Sequence, residues 1–132
     1  MDTCGHVHYS VLDDYRRYVN NTYLEDTLLW SYKMNSWLTP GWYRFKLNGT
    51  NAVMPTYCVP TRHCSTRYPV WLDMMGGTLP RLGEEKEARS CVTNYDDCCD
   101  WSDKVTVRNC GDFFIYRLQP TLFRYSVYCV SM

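Results

Sequence analysis

Eight cysteines, three histidines and a run of aspartates are the residues of this 132-residue chain whose types and spacing could do chemistry. The thiols are Cys4, Cys58, Cys64, Cys91, Cys98, Cys99, Cys110 and Cys129. A structural zinc site draws its ligands from two close pairs with short spacers. Here the spacings are irregular, and adjacent Cys98 and Cys99 cannot easily chelate one ion together. The segment Cys4-Gly5-His6-Val7-His8 does bring a thiol and two imidazoles within reach of one another, but it reads better as ordinary residues of a loose N-terminus. An even count at this density points instead to disulfides, which persist where the environment oxidises. The sequence therefore predicts four disulfides and the secretory route. Two sequons, Asn20-Asn21-Thr22 and Asn48-Gly49-Thr50, make Asn20 and Asn48 candidate glycan acceptors on that route.

Catalysis finds no footing in the same residues. A hydrolase needs a nucleophile with a base beside it. His63 next to Cys64 suggests a thiol protease, but a half-cystine is not nucleophilic, and no Gly-x-Ser-x-Gly elbow exists. The cluster Asp96-Asp97-Cys98-Cys99-Asp100-Trp101-Ser102-Asp103 offers carboxylates that calcium could use. It lacks the spaced register of a calcium loop and reads as a solvated acidic turn. No catalytic residue, metal site or cofactor is expected.

The elements that must position these residues are short. One domain, 1–132, suits the length, and a hydrophobic fraction of 45% supplies a core for it. Net charge is zero with no recurrent basic stripe, so the footprint of a nucleic-acid binder is missing. No stretch approaches the ~20 apolar residues of a membrane span. The polar start Met1-Asp2-Thr3-Cys4 is not a signal peptide, so the expectation is a mature or recombinant fragment of a secreted protein. From Ser10 to Val19, Leu12, Tyr15, Tyr18 and Val19 fall near helical spacing, with Ser10 as a cap, which predicts one short helix. Leu28, Leu29, Trp30 and Trp37 are expected core contacts in an irregular stretch. From Gly41 to Leu47 the period becomes two, and Asn48-Gly49 is the preferred pair for a type I′ turn, with Ala52 to Val59 returning. A second hairpin runs from Val105 to Cys110, turns at Gly111-Asp112, and returns from Phe113 to Leu118, with Tyr125 to Val130 as a last strand beside it. Thr61 to Pro80 carries loop chemistry, and the charged run Gly83 to Arg89 predicts a surface turn or short helix. The expected fold is a β-rich α+β domain of disulfide-stapled antiparallel hairpins with long loops.

Several segments carry a signature. They are Gly41-Trp42-Tyr43-Arg44-Phe45, Met54-Pro55-Thr56-Tyr57-Cys58-Val59-Pro60, Tyr68-Pro69-Val70-Trp71-Leu72 after Cys64, and Cys91 leading to Cys98-Cys99-Asp100-Trp101. Val105 to Gly111, Tyr116 and Tyr128-Cys129 complete it. From Cys4 to Cys129 the chain resembles the cysteine-rich extracellular domain of the uromodulin and pancreatic zymogen-granule glycoprotein family. That family's vertebrate form has two further cysteines, which would fall near Asn35 and Arg124 and pair with each other. The resemblance implies Cys4 paired with Cys110, Cys58 with Cys98, Cys64 with Cys129, and Cys91 with Cys99. Spacing alone leaves about a hundred pairings open. The stretch from Cys4 to Gly41 is longer than the family's. Its glycan positions correspond to about Asp73 and Arg117, so a glycan-display role would have to use Asn20 or Asn48.

The resemblance implies a non-catalytic extracellular recognition module for a protein or carbohydrate ligand. The alternative is a spacer or matrix component of a secreted mosaic glycoprotein. A recognition module leaves exposed Trp, Tyr or Arg in a patch, whereas a spacer buries them. Five Trp and twelve Tyr give material for either. Trp42, Trp71 and Trp101 are assigned structural roles, the last two because they lie close to half-cystines.

Overall fold

The computed structural model describes residues 3–22, 30, 31, 33, 38–121 and 125–132. Among these, eight strands follow in chain order: β1 (Ser10–Asp13), β2 (Gly41–Leu47), β3 (Thr50–Asn51), β4 (Tyr68–Asp73), β5 (Glu85–Asn94), β6 (Asp97–Asn109), β7 (Phe114–Leu118) and β8 (Ser126–Tyr128). They form one sheet in the order β1-β2-β7-β6-β5-β4-β8, with β3 added to β2.

The sheet curls until its ends meet. The segment after β1 reaches the segment after β8, where Val19 N–H donates to Val130 O at 3.0 Å and Val130 N–H to Arg17 O at 3.0 Å. Val53, just past β3, exchanges two bonds with Ser131, at 2.9 and 2.7 Å. Closure of this kind pairs the edges that would otherwise template aggregation. The alternation in β2 explains the core. Tyr43, Phe45 and Leu47 point inward to meet Val70, Leu72, Val92, Val105, Val107 and Tyr116. The opposite side of β2 is covered too, because Trp42 packs with Cys4, Cys110, Phe113 and Ile115. A third cluster joins Val19, Val59, Cys64 and Cys129, with Trp71 against it.

Several expectations need correction. No helix forms over residues 10–19. Ser10–Asp13 pairs in parallel with β2, and only a single 3-10 turn, Tyr15–Arg17, follows. Tertiary pairing overrides a weak local preference here. The cap is Asp14, whose carboxylate accepts from Arg16 N at 3.0 Å, and Tyr15 on the supposed apolar face is 53% exposed. The return strand after Asn48-Gly49 is only Thr50–Asn51, because Val53 leaves β2 to pair with Ser131. Thr61 to Pro80 is not wholly loop, since it contains β4. The charged run expected as a turn or helix lies mostly in β5, where Ala88 is buried opposite Val105. The last strand pairs with β4, in parallel, and not with β7. Leu28, Leu29, Asn35, Trp37 and Arg124 lie outside the described residues, while Trp30 is buried.

Candidate recognition surface

Strands β5 and β6 form the longest hairpin, and its tip leaves the core. Pairing of Asn94 with Asp97 makes Tyr95-Asp96 a two-residue turn. Tyr95 sits at φ 52°, a left-handed conformation that costs a bulky side chain roughly 1–2 kcal/mol. Its ring is 77% exposed. Just below the tip the ladder is irregular. Between the pairs Val92–Trp101 and Asn94–Asp97, Thr93 alone stands on β5 while Cys98, Cys99 and Asp100 stand on β6. This bulge lets adjacent cysteines face different partners. Cys98 joins Cys58 with a Cα separation of 5.6 Å, and Cys99 joins Cys91 at 4.7 Å.

Polar bonds fix the same tip. Asp97 Oδ1 accepts from Cys99 N at 3.0 Å, and Asp100 Oδ2 accepts from Asn94 Nδ2 at 2.9 Å. Trp71 Nε1 donates to Cys98 O at 2.8 Å while its ring packs on the Val59–Cys64–Cys129 cluster. Tyr57, 53% exposed, precedes Cys58. One virtual bond plus the disulfide span keeps its Cα within about 10 Å of Cys98. Beside the tip, Arg62, Arg67, Tyr68 and Tyr95 line a small hollow. Two cystines thus hold a rigid edge on which two tyrosines are presented to solvent.

The other two cystines lie deep. Cys4–Cys110 and Cys64–Cys129 span 106 and 65 residues, and all four residues are fully buried. Cys4 is therefore not available as a metal ligand beside exposed His6 and His8. Cys64 is likewise no nucleophile, and His63 Nδ1 donates to Val19 O at 2.8 Å. The acidic run does not converge. Asp96, Asp97 and Asp100 are exposed at the tip, whereas Asp103 accepts from Trp101 Nε1 at 3.4 Å. Trp101 packs against the main core and Trp42 against the Cys4–Cys110 cluster, both half-buried.

Both candidate glycan acceptors are exposed. Asn48 and Gly49 have φ 50° and 81°, the positive pair a type I′ turn requires. Asp13 of β1 latches this turn, its two carboxylate oxygens accepting from Asn48 N and Gly49 N at 2.8 Å each. Asn20 Nδ2 donates to Tyr18 Oη at 2.9 Å.

Sequence reasoning missed Asp13, Arg17 and Arg44. Arg17 is buried, donates to Tyr128 O at 3.2 Å, and its ionisation falls to about 10, chiefly because burial removes water from the guanidinium. Arg44 lies 3.6 Å over the Phe113 ring and donates to Asn51 Oδ1 at 2.6 Å. These contacts cross 7 to 111 residues of sequence. Tyr95 had a local signal in the turn-forming run Asn94-Tyr95-Asp96-Asp97.

Comparison with known proteins agrees with the cysteine pattern. A family model described as a uromodulin-like domain matches residues 43–130. The chain is 41% identical over 83 residues to pancreatic secretory granule membrane major glycoprotein GP2 of Canis lupus familiaris, covering 61% of this chain and 16% of that protein. It is 38% identical over 86 residues to the Rattus norvegicus GP2, with the same coverage. It is 39% identical over 80 residues to uromodulin of Mus musculus, covering 59% of this chain and 12% of that protein. The chain thus matches only a small part of each relative's length.

Proposed function

Because the chain belongs to the family of uromodulin-like cysteine-rich domains, we infer that it is a non-catalytic recognition module that binds a protein or glycan partner through the stapled β5–β6 tip. Its setting is extracellular, in keeping with eight cysteines engaged in four disulfides. The observation that carries the reading is Tyr95, held 77% exposed at φ 52°. Folding has no use for an aromatic ring there. Strain of this kind persists where the surroundings impose it, and it collects at functional sites. Rigid aromatic anchors bind at low entropic cost, and two cystines supply the rigidity.

The spacer reading draws on the tryptophans. Trp30 is buried, and Trp42, Trp71 and Trp101 are engaged in the core clusters. One substitution separates the two readings. Asn tolerates a left-handed backbone better than Tyr, so Tyr95→Asn should melt at the same temperature as the parent or a few degrees higher. Immobilised parent and variant would be screened against arrays of extracellular proteins and glycans. A recognition module yields a ligand whose binding falls at least tenfold in the variant. Absence of any ligand would favour the spacer, and a ligand held equally by both would remove the tip from the binding surface.

Asn20 and Asn48 are proposed glycan acceptors on this module, since both are exposed in sequon context. In a secretory host, peptide mapping after glycosidase treatment should find Asp at both positions.

A further inference from the structure

A second surface lies on the outer face of the sheet, away from the tip. Along β6, Lys104, Thr106 and Arg108 alternate with the buried Val105 and Val107, so they point outward. Register extends this face across the neighbouring strands. Arg89 of β5 stands opposite Lys104, Glu87 opposite Thr106, and Arg117 of β7 opposite Thr106 on the other side. Four cations and their nearby acids thus form one ladder.

The ladder does not pair up completely. Arg108 Nη1 meets Glu85 Oε1 at 2.9 Å, and Arg89 Nε meets Asp73 Oδ2 at 2.7 Å. The Met75 N–H and the Arg89 guanidinium both bond to Asp73 and hold its carboxyl below the usual aspartate range. Lys104 and Arg117 are left over. Both are exposed and make no ion pair or side-chain hydrogen bond with any described residue. They are diagonal neighbours on one face, with Cα atoms about 7–8 Å apart, so their tips can converge on one anion. Between them lies a concavity. A cleft of about 490 Å³ is lined by Asp103, Lys104, Thr106, Arg117, Leu118 and Gln119, with Pro40 at its side. A second, of about 440 Å³, continues past Lys104 to Ser102, Glu87, Arg89 and Met75.

We propose that this groove binds an acidic oligosaccharide, with Lys104 and Arg117 holding a sulfate or carboxylate group and Thr106 and Gln119 meeting neighbouring hydroxyls. Charge complementarity selects an anion, because Lys104 and Arg117 have no ionic partner among the described residues, while Asp103, which lines both clefts, accepts from Trp101 Nε1. The chemistry of the walls selects a sugar over an acidic protein segment. Protein interfaces concentrate their energy in aromatic and arginine anchors seated in buried pockets, whereas no lining residue of either cleft is aromatic, and Ser102, Thr106 and Gln119 offer hydroxyls and an amide beside the apolar Pro40, Leu118 and Met75. Glu87 sits one strand from Thr106 and opposes an anion from the far side. The site is separate from the Tyr95 tip and stands or falls without it.

The test uses the whole domain, glycan-trimmed, in binding titrations at low and moderate salt. The probes are a heparin oligosaccharide (sulfate and carboxylate), a hyaluronan oligosaccharide (carboxylate only), neutral dextran and poly-glutamate. At least one acidic sugar should bind and weaken as salt rises. Heparin alone identifies sulfate as the recognised group, and binding of both identifies carboxylate. Lys104→Gln and Arg117→Gln should each weaken binding about tenfold, the loss expected for one charge-assisted hydrogen bond. Both positions are exposed, so melting temperatures should stay within a few degrees. Glu87→Gln should tighten binding severalfold, a gain that no misfolded variant can imitate. No binding to either acidic sugar overturns the proposal. So does equal binding of dextran or poly-glutamate, or an affinity that these three substitutions leave unchanged. Since Tyr95→Asn leaves this groove intact, loss of acidic-sugar binding in that variant also overturns the placement.

Discussion

Replacing Tyr116 by Phe tests the polar accounting of the core and its pH dependence together. Tyr116 is 1% exposed, its ring lies 5.6 Å from that of Phe45, and Met54 N–H donates to its hydroxyl oxygen at 3.1 Å. The substitution keeps the ring and removes the acceptor. Met54 is equally buried, so its N–H loses its partner in a dry site, at a cost of about 1–3 kcal/mol near neutral pH. Alkaline pH gives a second reading. Burial raises the ionisation of Tyr116 well above its ordinary value, against a smaller opposing effect of the Met54 N–H, and burial raises that of Tyr128 as well. A raised acid keeps its proton in the fold after the unfolded chain, at about 10, has lost it. The stabilisation is therefore complete below pH 10 and is lost as pH rises through and beyond it. By pH 11 each tyrosine has given up about 1.4 kcal/mol, so the pair lowers stability by roughly 3 kcal/mol. Urea unfolding followed by far-ultraviolet circular dichroism at pH 8 and pH 11 would measure both effects. The Tyr116→Phe variant should start lower at pH 8 but lose about 1.4 kcal/mol less than the parent on the way to pH 11. An equal fall in parent and variant would refute the claim that Tyr116 ionises only on unfolding.

Four further outcomes follow from the geometry. Asp13→Ala should cost about 1 kcal/mol, because an exposed, screened carboxylate supplies both turn bonds, and melting temperature would report it. The same change frees the Gly49 amide to attack the Asn48 side chain, so mass spectrometry of unglycosylated protein should find faster isoaspartate formation at residue 48. Under limiting reductant, alkylation mapping should find Cys58–Cys98 opened first, since Cys98 is exposed while Cys4, Cys64, Cys110 and Cys129 are at 0%. Trp71→Ala should destabilise by roughly 2 kcal/mol, about half the cost for a fully buried Trp because the ring is half-buried, and a parental melting temperature would count against its structural role.

What was legible in the sequence was local. The hairpin at Asn48-Gly49 and the β6–β7 turn at Gly111-Asp112 carry their chemistry within a few residues, and the structure has both. The expected helix failed because β1 takes its conformation from β2, thirty-odd residues away, and four apolar residues near helical spacing also fit a short strand followed by a turn. The Gly83–Arg89 run misled for a related reason. Glu85, Glu87 and Arg89 lie on the outer side of a long strand, Lys86 shares the inner side with Ala88, and only Ala88 is buried, which leaves too little hydrophobic alternation to see. The tip was visible as an acidic turn, but its bulge was not. A bulge is a property of two strands compared, and one strand read alone does not contain it.

Stability in this chain is divided between two agents, and the division bears on the recognition role proposed for the tip. At the base of the β5–β6 hairpin, Ala88, Val105 and Val107 are held by burial, so substitution there is felt by the core. At the tip, residues 95–98 are all exposed, beyond the reach of that core. Two cystines and the bond from Trp71 to Cys98 take over the task of holding them. A covalent staple restricts the chain without specifying which side chains it presents. Tyr95 and Asp96 can therefore change without loss of the fold, while any change in the four cysteines would release the tip. The tip combines rigidity with freedom of sequence, and those are the two properties that a binding edge requires.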